Sequence, residues 1–555
     1  MWRFFKRFSL PLLLSLISIL PYLKLFDGFF QQDEWYGFAW YILHKDLGIR
    51  ETIKFFFTPS VGHYNPLSIA IQNLFFSIWG MDYQKFLILG LVFHALVTVG
   101  VYYLTKLVFK GNKTLAITSA LIFAFFASPY QGTGWVVANI ATQWSCLLGV
   151  VSSILFFKFL ESKRKKFFVW SIALLFISLL FKEITIGLFP MFFVVCLLKT
   201  KGRMRRNYLL AIFVSSVFYI AFRASMLFAP NIMGDKLVTQ SQSLLNLVYN
   251  FVTTPLKTLI QIVLPPEFIK MVSVQLALFF PEKTSGIVGS PEFEVFVVGK
   301  VMEVFNILFS LVSVMLVVII ARKRRNTGYK DMLIFGLAWV ILNSLIFSFA
   351  PETSGIISVV DSRNLYFVSV GVAVLIVSLT EFYSKKKMVT FCLILLFVVI
   401  FNIFWLNNNL SKFRDVGRVR KEILTQVFKA YPIIPKKAVF YMASDSSYYG
   451  LSEQNKTLPF QSGLGQTLLI WYYPTEDFPK SFFENKFLWG ITDEGYQEFD
   501  GRGFGYFRNY DLLKQKVKEY NLPVDSVISF NWNGKENKLL DMTKDIRDKL
   551  SRNSR

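Results

Sequence analysis

A chain of 555 residues that is 54% hydrophobic, 17% charged and +0.46 in mean hydropathy carries more apolar surface than a water-soluble globule of that length can hide. Its formal net charge of +24 does not mark a nucleic-acid partner. The lysines and arginines fall in short clusters between apolar runs of about 20 residues, the pattern of a multi-span membrane protein.

In chain order, Arg3, Lys6 and Arg7 precede an apolar run from Phe8 to Phe26. The run has no small-residue cleavage site and reads as an uncleaved signal anchor. Further basic clusters follow at Lys106/Lys110/Lys113, Lys163 to Lys166, Lys199 to Arg206, Arg322 to Arg325 with Lys330, and Lys385 to Lys387. Placing all of them in the cytoplasm predicts about 11 spans, with the amino terminus inside and the tail outside. The expected spans are 8–26, 86–109, 114–129, 136–158, 167–181, 184–198, 207–228, 301–321, 331–349, 364–382 and 388–406.

Two exterior segments are long. Residues 27–85 mix apolar and polar positions at helical spacing and read as helices lying in the interface. Residues 229–300 contain an apolar run, 244–264, interrupted by Pro255 and ended by Pro265-Pro266. It reads as a surface or re-entrant helix, the alternative being a further span that would invert everything after it. The tail, 407–555, is polar and predicts a small α/β domain. Strands are expected at Ala438 to Met442 and Val527 to Phe530, a hairpin at Asn533-Gly534, and helices at Tyr510 to Tyr520 and Met542 to Leu550. The fold class expected is thus an all-α polytopic membrane domain, 1–406, with a small extracytoplasmic α/β C-terminal domain. Cys146, Cys196 and Cys392 are too dispersed for a metal or disulfide framework.

Asp33 and Glu34 follow the first span, in Gln31-Gln32-Asp33-Glu34-Trp35-Tyr36. Carboxylates at a bilayer surface among aromatics are costly and are kept for a task. Asp33 reads as a general base, the plainer alternative being interfacial capping or solvation. Glu34 shares that role, positions a metal, or caps the first interfacial helix. Three cations depart from the cytoplasmic rule: Lys182 in a tight exterior turn, Arg223 near the outer end of a span, and Arg363 at the start of a late one. Each can grip a phosphate, pair with a carboxylate (Lys182 with Glu183, for instance), or snorkel to headgroups. His63 precedes Tyr64-Asn65-Pro66-Leu67, where Pro66 holds Asn65 extended before a helix. It reads as a rim donor or as an ordinary loop histidine. His94, mid-span, reads as a helix–helix hydrogen bond. Asp33, Glu34 and His63 could hold a divalent cation, but their spacing is no recognised motif, and no obligatory metal is expected.

Four motifs in order, Asp33-Glu34, Tyr64-Asn65-Pro66-Leu67-Ser68, Phe181-Lys182-Glu183 and Ser362-Arg363-Asn364-Leu365-Tyr366, give a chain that resembles the GT-C superfamily of polytopic glycosyltransferases. Within it, the likeness is to protein O-mannosyltransferase-like members, including the transmembrane tetratricopeptide-containing mannosyltransferases. It covers Phe8 to Leu406; the tail lacks any tetratricopeptide pattern. The resemblance implies a polyprenyl-phosphate-linked sugar donor and a protein, glycan or lipid acceptor on the outer face. It also implies inverting chemistry, with Asp33 as base. Arg363, Arg223 and Lys182 are then expected at the donor phosphate, and His63, Tyr64, Glu183 and Tyr366 on the rim, around one cavity at the outer leaflet. Short basic loops favour a bacterial or archaeal plasma membrane, although an endoplasmic-reticulum enzyme would carry the same pattern. The competing classes are a transporter or lipid flippase, which typically carries ionisable or broken-helix sites near the midplane in two related halves, and a scaffold whose tail binds a partner. No internal repeat is evident.

Overall fold

The computed structural model describes residues 2–58, 64–226, 243–279, 293, 296–323, 328–349, 357–384, 388–448, 451, 455–484 and 486–552. The chain forms two compact units, one of residues 1–23, 56–71 and 86–410 and the other of residues 24–55, 72–85 and 411–555. The tail therefore shares its unit with most of the first long loop.

Among the described residues, eight helices are long and apolar enough to cross a membrane: Ser9–Asp27, Tyr83–Val108, Val136–Ser162, Gly202–Ser225, Val297–Arg322, Lys330–Phe349, Ser362–Thr380 and Cys392–Ala430. The chain is thus a multi-pass membrane protein. Three other expected spans form shorter helices, Lys113–Phe125, Lys165–Phe181 and Leu188–Lys199. Thirteen residues rise only about 20 Å, short of a hydrocarbon core of about 30 Å. The reasons are local. Phe126 leaves helical geometry three residues before Pro129, and Lys182 is extended at φ −167°.

The 244–264 run is helical over Leu244–Val263, capped by the Ser243 hydroxyl accepting from the Asn246 N–H at 3.1 Å. Leu264 is extended, Pro265 and Pro266 follow, and helix Pro266–Ala277 departs at 100°. The pair is a broken span or a re-entrant loop, and counted as one span it makes nine. One face of its first helix, with Asn250, Thr254, Lys257, Thr258 and Gln261, is fully buried, while Leu244, Leu245, Val248 and Val252 are exposed.

Small residues close the first unit's helix contacts, as is usual where lipid supplies no hydrophobic drive. Ser145 and Ser152 of helix Val136–Ser162 meet Ser178 and Ser171 of helix Lys165–Phe181. Gly336 and Gly371 let two further helices touch backbone to backbone. A Cβ on Gly371 would lie 2.8 Å from the Gly336 carbonyl oxygen, and the Trp339 indole N–H donates to the Phe367 carbonyl nearby at 2.9 Å.

The second unit holds a five-stranded sheet: β1 Lys437–Ser444, β2 Gly495–Phe499, β3 Arg502–Phe507, β4 Val527–Asn533 and β5 Lys538–Asp541. The order is β2-β3-β1-β4-β5, with β1 parallel to β3 and β4 and both edges antiparallel. The expected strands, hairpin and two helices are present, the helices as Tyr510–Glu519 and Thr543–Arg552. Helix Asp33–His44 belongs to this unit. Trp35 packs edge-on to Trp471 at 6.4 Å, and the Tyr36 hydroxyl donates to the Trp489 carbonyl at 2.8 Å.

Candidate functional site

In the first unit, the three exceptional cations are not scattered. Lys182 ends helix Lys165–Phe181, and its ammonium donates to Thr142 Oγ1 at 3.1 Å. The next residue, Glu183, pairs not with Lys182 but with Arg223, at 2.6 Å from Nε to Oε1. The Arg223 guanidinium lies over the Tyr64 ring at 5.8 Å. Arg363 lies over the Trp135 ring at 4.6 Å and pairs with Asp361 at 3.4 Å. Burial and then the Arg363 guanidinium push the Lys182 ammonium down to about 7, with Asp361 and Glu183 opposing. Burial likewise raises the Glu183 carboxyl, against the pull of Arg223 and Lys182. Three cations thus face two carboxylates. When Lys182 holds its proton, these five described side chains sum to one positive charge, an arrangement that can receive a phosphate.

The segment that leads into Arg363, residues 357–360, is held by a buried polar frame. The Lys257 ammonium donates to the Ile357 carbonyl at 2.6 Å and pairs with Glu303, which also accepts from the Tyr249 hydroxyl at 2.5 Å. Gln261 holds the same segment twice, donating to the Ser358 carbonyl at 2.9 Å and accepting from the Val360 N–H at 3.0 Å. Asn250 accepts from the Ile357 N–H at 3.2 Å. Lys257 and Glu303 are not among the residues expected at the site from sequence. A lysine and a glutamate inside apolar helices were themselves the available signal.

Two rim expectations need correction. Tyr366 is enclosed, 1% exposed, and its hydroxyl bonds His94 Nδ1 at 2.7 Å. Gly132 presses on its ring, where a Cβ would come within 2.8 Å. Tyr366 and His94 form the helix–helix hydrogen bond expected of the histidine. Tyr64 is also buried, beneath Arg223, and supports that cation rather than lining an edge. His63 lies outside the described residues, and with it the trio proposed for a divalent cation.

In the second unit, Asp33 and Glu34 open helix Asp33–His44, where negative charge complements the helix dipole. Their environments differ. Glu34 is fully buried, and its Oε2 accepts the backbone N–H groups of Gln31 at 3.2 Å and Gln32 at 2.9 Å. That geometry fits the capping alternative for Glu34 rather than proton transfer. Asp33 is partly exposed. Its charge, after burial and together with Asp493, helps raise the Tyr36 phenol to about 12. The turn before the helix is anchored by Arg420, 1% exposed, which donates to Gln31 Oε1 at 2.5 Å and to the Pro459 carbonyl at 2.6 Å. Gly417 permits this close approach, since a Cβ there would stand 2.7 Å from the Phe29 nitrogen.

No family model and no curated protein matches the chain.

Proposed function

We propose that this protein is an integral-membrane glycosyltransferase of GT-C type. It moves a sugar from a polyprenyl-phosphate donor to an acceptor hydroxyl on the outer face. The observation that carries the reading is the Lys182, Glu183, Arg223, Asp361 and Arg363 cluster, gathered from three distant parts of the chain and braced by buried amides. Departing phosphate gains negative charge as the glycosidic bond breaks, and preset cations stabilise that charge. Lys182, poised near neutrality, takes up a proton when the anion enters. Asp33, the partly exposed member of its pair, is the general base. It removes the acceptor's hydroxyl proton as that oxygen attacks the anomeric carbon, and the bond to phosphate breaks with its electron pair staying on phosphate, inverting the centre. The reading keeps the amino terminus inside and the tail outside, in a bacterial or archaeal plasma membrane.

The test is transfer from a labelled polyprenyl-phosphate sugar to the protein, glycan or lipid fraction of membranes holding the protein. Label transferred by wild type and lost in Arg363→Ala supports the reading; no transfer to any fraction overturns it. One observation favours a second reading, a transporter or lipid flippase. The Lys257–Glu303 pair is buried in apolar helices, one of which is the first arm of the broken pair. Flux in proteoliposomes without product formation would select that alternative.

A further inference from the structure

A groove of about 580 Å³ opens at the carboxyl-terminal ends of two candidate spans, Tyr83–Val108 and Val136–Ser162. Lys106, Lys110 and Lys158 line it, with Tyr103 and Ile154 among the apolar wall. Glu161 is the one acid among the lining residues. Among the described residues, none of the three lysines has a carboxylate within 4.0 Å. The helix ends explain part of this, since their partial negative charge favours lysine. They do not explain why three lysines line one concave surface that also has an aliphatic wall. Lys110 and Gly111 both take left-handed backbone, at φ 50° and 91°, so the chain doubles back there and keeps Lys110 on the groove. The size lies within the range of small-molecule sites.

We propose that this groove binds the headgroup of an anionic phospholipid, with the phosphate among the lysines and the glycerol and upper acyl carbons against Tyr103 and Ile154. The inference rests on the membrane-spanning character of the two helices and not on the glycosyl-transfer reading. Each lysine near an anionic lipid contributes about fivefold, so removing three reduces affinity on the order of 100-fold.

The experiment is native mass spectrometry of the full-length protein in detergent, titrated with phosphatidylglycerol or phosphatidylcholine. Wild type is expected to retain phosphatidylglycerol preferentially. The triple variant K106A/K110A/K158A is expected to lose that preference, and the triple lysine-to-arginine variant to keep it. Equal retention of both lipids by wild type, or undiminished phosphatidylglycerol retention by the alanine variant, overturns the proposal. So does displacement of the lipid by millimolar inorganic phosphate, which would make the ligand a free anion. Should the alanine variant fail to fold, Ile154→Trp fills the apolar wall while leaving the charges. It must also weaken phosphatidylglycerol retention, and unchanged retention would contradict the lipid assignment.

Discussion

Lys257→Met removes one half of an ion pair whose members are 0% and 8% exposed at the side chain. The Glu303 carboxylate then stays buried with the Tyr249 hydroxyl as its hydrogen-bond donor, and the Ile357 carbonyl loses the lysine. Removing one partner of a buried pair costs about 3–5 kcal/mol, because the remaining charge is stranded. Removing both and filling the space is far milder. The expected result is therefore a loss of about 3–5 kcal/mol in Lys257→Met and a largely restored K257M/E303L. Denaturant titration in detergent micelles, followed by tryptophan fluorescence, reads both. Because this pair underlies residues 357–360, the single variant should also weaken donor binding through Arg363. A Lys257→Met protein within 1 kcal/mol of wild type, or a double variant no better than the single, would refute the reasoning.

Donor affinity should depend on pH through Lys182. Its pKa is depressed to about 7, so the charge is present below that value and lost as pH rises through it. The donor KM should accordingly climb between pH 6 and 8, and Lys182→Arg, always charged, should flatten the climb; an identical profile in Lys182→Met would remove the lysine from the site. Glu34→Gln should weaken acceptance of the Gln31 and Gln32 amides and destabilise the fold by about 1–3 kcal/mol, measured in the same titration. An unchanged midpoint would show that the turn does not rely on that carboxylate. Gly371→Val should disrupt the contact with helix Gly328–Ser344 and reduce folded yield severely, as judged by gel filtration in detergent. Normal yield would mean that the two helices separate without cost.

Much of the chain was legible because its signals are local. Long apolar runs with basic ends gave eight of the spans, and β1, β4 and the last two helices carry ordinary propensity and turn chemistry. β3 was hidden. It reads Arg-Gly-Phe-Gly-Tyr-Phe, and glycines weaken strand signal, yet a Cβ on Gly503 would overlap the Tyr496 hydroxyl on the neighbouring strand. Lys113–Phe125 and its short companions are apolar enough for spans but end early at backbone breaks whose position composition does not reveal. The same holds for the site. Lys182, Arg223 and Arg363 stood out as cations set apart from the basic clusters. That Glu183 pairs with Arg223 instead of its neighbour, and that Tyr366 is enclosed by His94 and Gly132, depends on contacts between residues tens to hundreds of positions apart. The membership of residues 24–55 in the unit containing the tail is of this kind too.

The most direct measurement is sugar transfer by Asp33→Asn in liposomes charged with a labelled polyprenyl-phosphate donor and an acceptor fraction identified with wild type. The expected outcome is a folded, inserted protein that still binds donor and transfers at least about a hundredfold more slowly, the scale of a lost general base. Transfer at the wild-type rate would contradict it.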